Sequence, residues 1–149
     1  MTTLHLADTS HLDILTHMVG AFHDEEGITS DEDHRRKALL PLLKGSPYGV
    51  IYLMGPLSSP LGYIAITFTW SLEFGGLDGT IDELYLRKKV RGRGIGTSAI
   101  YRLIKVLSQH GLKSLALEVD GRNQRALQFY HSTGFRLREH YNLMVMELV

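Results

Sequence analysis

Near residue 91 the hydrophobic period of this chain changes from that of strands to that of a helix, and the change limits the folds open to it. Upstream, Tyr48 to Met54 and Tyr63 to Trp70 are apolar, β-branched or aromatic runs. Gly55-Pro56-Leu57-Ser58-Ser59-Pro60 separates them and predicts a hairpin. Glycines near 75–79 predict a second turn, with Thr80 to Leu86 as the third strand of the meander. Downstream, Ile95, Ala99, Leu103 and Val106 recur at helical spacing, and Leu115 to Val119 is a continuous short strand. Ala126, Phe129, Tyr130 and Thr133 mark another helix, and Phe135 to Leu137 and Leu143 to Leu148 have strand character. Strand, helix and strand in succession between residues 80 and 119 imply a parallel pair joined by a right-handed crossover, added to antiparallel hairpins. The fold class is therefore α+β, a mixed, mostly antiparallel sheet covered by helices.

Before these strands, Thr3 to Ala7 alternates as a short strand, and Asp8-Thr9-Ser10 offers capping oxygens. Leu15, Met18, Val19 and Phe22 then fall at i, i+3, i+4 and i+7, an amphipathic helix that stops before Gly27. Ser30 with Asp33 three residues on resembles a capping box opening a second helix, which Pro41 should bend or end early. No repeat, low-complexity tract or linker divides the chain, so residues 1–149 are expected to form one domain. A chain of 149 residues buries about 70% of its unfolded surface and needs neither disulfide nor structural metal to stay folded. The absence of cysteine excludes a disulfide framework, a zinc ribbon and a thiol nucleophile.

Sixteen basic residues balance sixteen acidic ones, so no global attraction to nucleic acid or to an anionic membrane is expected. No apolar stretch reaches the roughly 18 residues of a membrane span, and the first residues lack a signal layout, which together suggest a cytoplasmic protein. Charge is instead local. Asp24, Glu25, Glu26, Asp31, Glu32 and Asp33 form an acidic stretch without Lys or Arg, and Arg87, Lys88, Lys89, Arg91 and Arg93 place five cations in seven positions.

Those cations surround Arg91-Gly92-Arg93-Gly94-Ile95-Gly96-Thr97, where a strand gives way to a helix. Glycines let the backbone take positive φ and approach an anion, while the first N–H groups of the helix and its dipole favour negative charge. The segment thus reads as a phosphate site. It is not a Walker loop, because no lysine precedes Thr97. Gly94-Ile95-Gly96-Thr97-Ser98-Ala99 does fit the dinucleotide pattern G-x-G-x-x-A, with Asp120 about where a ribose-binding acid would lie. That fold, however, requires several further parallel units, and here one follows.

A third pattern, Arg-x-x-Gly-x-Gly at Arg91, Gly94 and Gly96, resembles the GNAT superfamily of acetyl-CoA-dependent N-acetyltransferases. Asn123-x-x-Ala126-x-x-Phe129-Tyr130 followed by Gly134-Phe135 is similar to that superfamily's second signature, and Ile81 to Leu86 to the strand before its pyrophosphate loop. The resemblance implies helices on both faces of the sheet. It also implies that Arg91, Gly92, Arg93, Gly94, Ile95, Gly96 and Thr97 hold the CoA pyrophosphate, that Leu84, Tyr85 and Leu86 run beside the pantetheine arm, and that Asn123 and Tyr130 lie on the cofactor side. Lys88-Lys89-Val90 stands where family members usually carry a proline.

The chemistry asks for a base to take a proton from the amine and an acid to meet the departing thiolate. By the resemblance Tyr130 is the acid, its phenol protonated at neutral pH. For the base the resemblance favours Glu83; Asp82, its neighbour on the opposite face of the strand, and a water relay stay open. Without cysteine, direct transfer in a ternary complex is expected. By the resemblance, Glu25, Glu26, Glu73 and Asp82 border the acceptor pocket, where carboxylates would suit a small cationic amine such as a polyamine, an aminoglycoside or a lysine side chain. The resemblance also allows a homodimer. Two other readings stay open: an acyl-CoA-binding sensor without catalysis, and a small dinucleotide-binding module. His5, His11, His17 and His23 recur every six residues, which scatters them around a helix axis, so no metal is expected.

Overall fold

The computed structural model describes residues 2–149. The element order is β1 (Leu4–Leu6), α1 (Leu12–Glu26), α2 (Glu32–Leu43), β2 (Gly49–Met54), β3 (Gly62–Ser71), β4 (Gly76–Leu86), α3 (Ile95–Gln109), β5 (Ser114–Leu117) and α4 (Gln124–Ser132). The chain divides into two compact units, Met1–Glu118 and Val119–Val149. The first holds the whole sheet and α1 to α3.

The five strands lie in chain order, β1-β2-β3-β4-β5. The first three pairings are antiparallel, and β4 and β5 are parallel around α3, so the sheet is mixed and mostly antiparallel. Alternation along β3 sorts its side chains by face. Tyr63 and Ala65 join Ile51, Leu53 and Tyr85 in one buried cluster with Leu15, Met18 and Val19 of α1 and Leu39 and Leu43 of α2. Ile64 and Ile66 are equally buried but lie outside that cluster, on the opposite face. The amphipathic α3 buries its own stripe of Ala99, Ile100, Leu103 and Leu107. Helices therefore serve both faces, as the family resemblance implies.

Several local expectations change. Asp31, not Ser30, caps α2, its carboxylate accepting from the His34 N–H at 2.7 Å. Pro41 sits inside α2 without ending it early, because only its own missing N–H is lost and the helix stops two residues later. The β3–β4 turn falls at 72–75, and β4 begins at Gly76. Gly79 is a strand residue whose missing side chain admits Leu112, which a Cβ there would meet at 2.8 Å. Phe135 to Leu137 and Leu143 to Leu148 form no strand in the described residues. Their apolar side chains find no ladder partner, and Leu137, Leu143, Met144, Val145, Met146 and Leu148 are exposed. No helix is long and apolar enough to cross a membrane among the described residues.

Candidate active site

The strand before the glycine loop carries a bulge. Glu83 pairs with Ala65 but Ile81 with Ile66, which leaves Asp82 as an extra residue on β4. The bulge shifts the side-chain phase. Ile81 lies on the Ile66 face, whereas Glu83 and Tyr85 turn to the face shared by Ala65, Tyr63, α1 and α2. Simple alternation gives Ile81 and Glu83 a common face; the inserted residue separates them. Asp82 itself is exposed.

The bulge also marks where β5 ends. Its ladder with β4 covers Asp78 to Ile81 only, so Asp82 through Leu86 have no β5 partner. Leu84, Tyr85 and Leu86 thus occupy a stretch of β4 paired with β3 on one side alone. Lys88–Val90 then form one 3-10 turn, and the loop enters α3. Gly92 and Gly94 have φ of 77° and 78°, and a Cβ on either would meet nothing within 4 Å. Conformation, not space, therefore requires glycine here. Gly94 is the N-cap of α3 and supplies no side-chain cap, which leaves the helix's first amides for an external acceptor. Arg93 is exposed, Ile95 and Thr97 are half-buried, and Gly96 is buried in the first turn.

Arg91 is fixed from three sides. Its Nε donates to the Leu86 carbonyl at 2.8 Å, its Nη2 donates to both Glu25 oxygens at 2.9 Å, and its guanidinium lies 5.7 Å from the Tyr85 ring centre. One residue expected on the cofactor side and one expected on the acceptor side are thus joined. Glu26 is exposed at the end of α1, and Glu73 is exposed in the β3–β4 turn.

Glu83 sits at the centre of a hydrogen-bonded chain. Tyr63 donates its phenol to Oε1 at 2.7 Å, and the Nε2 of His23 lies 2.7 Å from Oε2. The His23 Nδ1 is 2.6 Å from the Ser30 hydroxyl. Arg35 of α2 donates to the Ser30 carbonyl at 2.6 Å and to the Thr16 carbonyl at 3.2 Å, tying the connection after α1 to both helices. The His23 and Glu83 side chains are only 12% and 17% exposed. Sequence reasoning missed His23, because nothing in its spacing marks it and its partner is 60 residues away.

Tyr63 is fully buried. Burial first, then the Glu83 charge beside it, raises its phenol far above the ordinary tyrosine value, so it stays a donor. The unfolded chain releases this proton above about pH 10 while the folded protein keeps it, so the contribution of Tyr63 to stability is complete below that pH and is lost as pH rises past it. Tyr63→Phe is therefore expected to lessen the alkaline fall in melting temperature. At pH 7 it should cost about 2 kcal/mol, the value of a hydrogen bond to a charged acceptor, read by thermal melts at both pH values.

In the second unit, Asn123 caps α4, its Oδ1 accepting from the Ala126 N–H at 3.1 Å. The Tyr130 ring packs edge-on against Phe129 and Phe135, at 5.0 and 5.8 Å between centres. Among the described residues no three His, Cys, Asp or Glu side chains are arranged to hold a metal.

A bulged strand, a loop of left-handed glycines and a helix without a side-chain cap thus follow one another beside a clustered carboxylate. Residues 13–135 match the Acetyltransferase (GNAT) family, and the chain belongs to it. It is 31% identical over 81 residues to an uncharacterized N-acetyltransferase of Methanocaldococcus jannaschii, a match covering 54% of this chain and 36% of that protein. The chain thus spans about a third of the curated relative it matches. Among solved structures, an integron cassette protein from the mobile metagenome of Cole Harbour Salt Marsh is 25% identical with a TM-score of 0.85, covering 98% of this chain and 90% of that one. A protein of Clostridium acetobutylicum, described as a predicted acetyltransferase with acetyl-CoA, shares the fold at 18% identity and a TM-score of 0.77, covering 97% and 96%.

Proposed function

We propose that this chain is an acetyl-CoA-dependent N-acetyltransferase that moves an acetyl group directly to a primary amine of a small cationic acceptor. The observation that carries the reading is the uncapped N-terminus of α3, set on the left-handed glycine loop that follows the half of β4 without a β5 partner. The backbone amides from Arg91 to Thr97 suit the CoA pyrophosphate, and the edge of Leu84 to Leu86 suits an extended amide-bearing arm. Bound there, acetyl-CoA supplies an activated acetyl thioester. The family match runs across both compact units, which supports reading residues 1–149 as one catalytic domain.

On the acceptor side, the resemblance favours Glu83, directly or through a relay, for the base and makes Tyr130 the proton donor to the leaving thiolate. Glu26 and Asp82 are exposed carboxylates suited to a cation, as is Glu73 in its turn, while Glu25 serves Arg91. The absence of cysteine supports transfer in a ternary complex.

Thermal unfolding in the presence of acetyl-CoA or of NAD tests the reading without a guess about the acceptor. A ligand at 100 times its Kd stabilises the native state by about 2.7 kcal/mol, which for a chain of this size raises the melting temperature by about 8 °C. The expected result is a shift with acetyl-CoA alone, followed by thiol release when amines are supplied. A shift with NAD alone would restore the dinucleotide reading, and a shift with acetyl-CoA but no thiol release from any amine would favour a sensor.

A further inference from the structure

We infer that His23 is the proton acceptor of the proposed transfer, reached through Ser30 and held in its working tautomer by Glu83. The inference rests on the acetyltransferase reading and deepens it. An ionised carboxylate only accepts hydrogen bonds, so at 2.7 Å from Glu83 the Nε2 of His23 must donate. A neutral imidazole then has Nδ1 as its acceptor, and the Ser30 hydroxyl at 2.6 Å donates to it. Arg35 supports the same direction. Its guanidinium is a donor only and lies 3.4 Å from Ser30 Oγ, so the Ser30 proton has to go elsewhere.

The chain therefore runs one way, from Ser30 to His23 to Glu83, with Tyr63 donating into Glu83 from the other side. Both carboxylate oxygens already carry a donor, which suits Glu83 to orienting the ring. Nδ1 of the ring is the acceptor that faces Ser30, so the ring, not the carboxylate behind it, is placed to take the proton. In the step, the N–H bond of the ammonium breaks as its proton joins Ser30 Oγ, and the hydroxyl's own proton moves to Nδ1. The imidazolium is balanced by the Glu83 carboxylate and returns its proton through Ser30 to solvent once the product leaves. His23 is thus the base, Ser30 the relay, and Glu83 and Tyr63 positioning residues.

The charged and titratable groups around the ring are Glu83 from β4, Tyr63 from β3 behind it, Arg35 from α2 at Ser30, and on α1 itself Asp24, Glu25 and Glu26, with Arg91 neutralising Glu25. His23→Gln, which removes the proton acceptor, is expected to lower kcat by about 100-fold or more and to abolish the acidic limb of the pH profile, while acetyl-CoA still raises the melting temperature. Ser30→Ala should lower kcat by about tenfold and keep the limb. Nitrogen-resolved NMR of the ligand-free wild-type protein, with the His23 signal assigned by its loss in His23→Gln, should show the Nε2–H tautomer, and Glu83→Gln should relax that preference.

An Nδ1–H tautomer in the wild type overturns the relay, as does a His23→Gln enzyme within about threefold of wild type or with its acidic limb intact. If wild-type protein binds acetyl-CoA but acetylates no amine, the acetyltransferase reading fails, and the tautomer still decides the hydrogen-bonded chain.

Discussion

Glu83→Ala is expected to reduce kcat by about 100-fold and to destabilise the fold by about 3 kcal/mol. Two separate losses combine. Tyr63 is fully buried and its hydroxyl points at Glu83, so removal of the carboxylate strands a donor that water cannot reach. His23, 12% exposed, loses the only carboxylate at hydrogen-bond distance from its ring among the described residues and with it the preference for one tautomer. Glu83→Gln separates the two effects. The amide keeps the shape and one acceptor, so most of the stability should return, while kcat remains low because the imidazolium is no longer balanced. Thermal melts and a thiol-release assay at saturating acetyl-CoA read the two effects independently. An alanine variant that melts like wild type would mean that the Tyr63 and His23 contacts contribute no net stability.

Gly62→Ala should be nearly as damaging to the fold, for a steric reason. Gly62 pairs with Met54 of β2 and Leu86 of β4, and a Cβ on it would lie 1.9 Å from the Tyr85 carbonyl oxygen and 2.9 Å from the Met54 Cε. The methionine end can move, but the carbonyl belongs to the strand beside the candidate cofactor edge and cannot yield without shifting β4. The expected cost is about 3 kcal/mol, or about 9 °C in melting temperature. Gly121→Ala, where a Cβ meets nothing within 4 Å, is the neutral control. Equal melting temperatures for the two variants would show that β4 gives way freely at Tyr85.

The elements that bury an apolar stripe were readable in advance, because their periodicity is a local property. Leu15, Met18 and Val19 reveal α1, Ala99 and Leu103 reveal α3, and the two long apolar runs reveal β2 and β3. The signal weakens where a residue's role depends on what stands opposite. Glycines at 76 and 79 look like turn residues until Lys113 and Leu112 are seen to fill the space they leave. The apolar stretch from Leu143 to Leu148 looks like a strand, yet a strand exists only with a ladder partner, and it has none among the described residues.

The site divides along the same line. The sequence by itself determined the glycine loop, its cations and the helix it opens, since left-handed backbone and an uncapped N-terminus follow from consecutive residues. Glu83 was visible as one of two adjacent carboxylates, and alternation alone left its face undecided. Only the tertiary structure inserts Asp82 as a bulge, turns Glu83 toward α1, and brings His23 and Tyr63 to it from 60 and 20 positions away, with Ser30 on the other nitrogen of the His23 ring. Those contacts depend on how β4 pairs with β3 and packs against α1. No local pattern encodes them, because they are set by the burial of the whole sheet face.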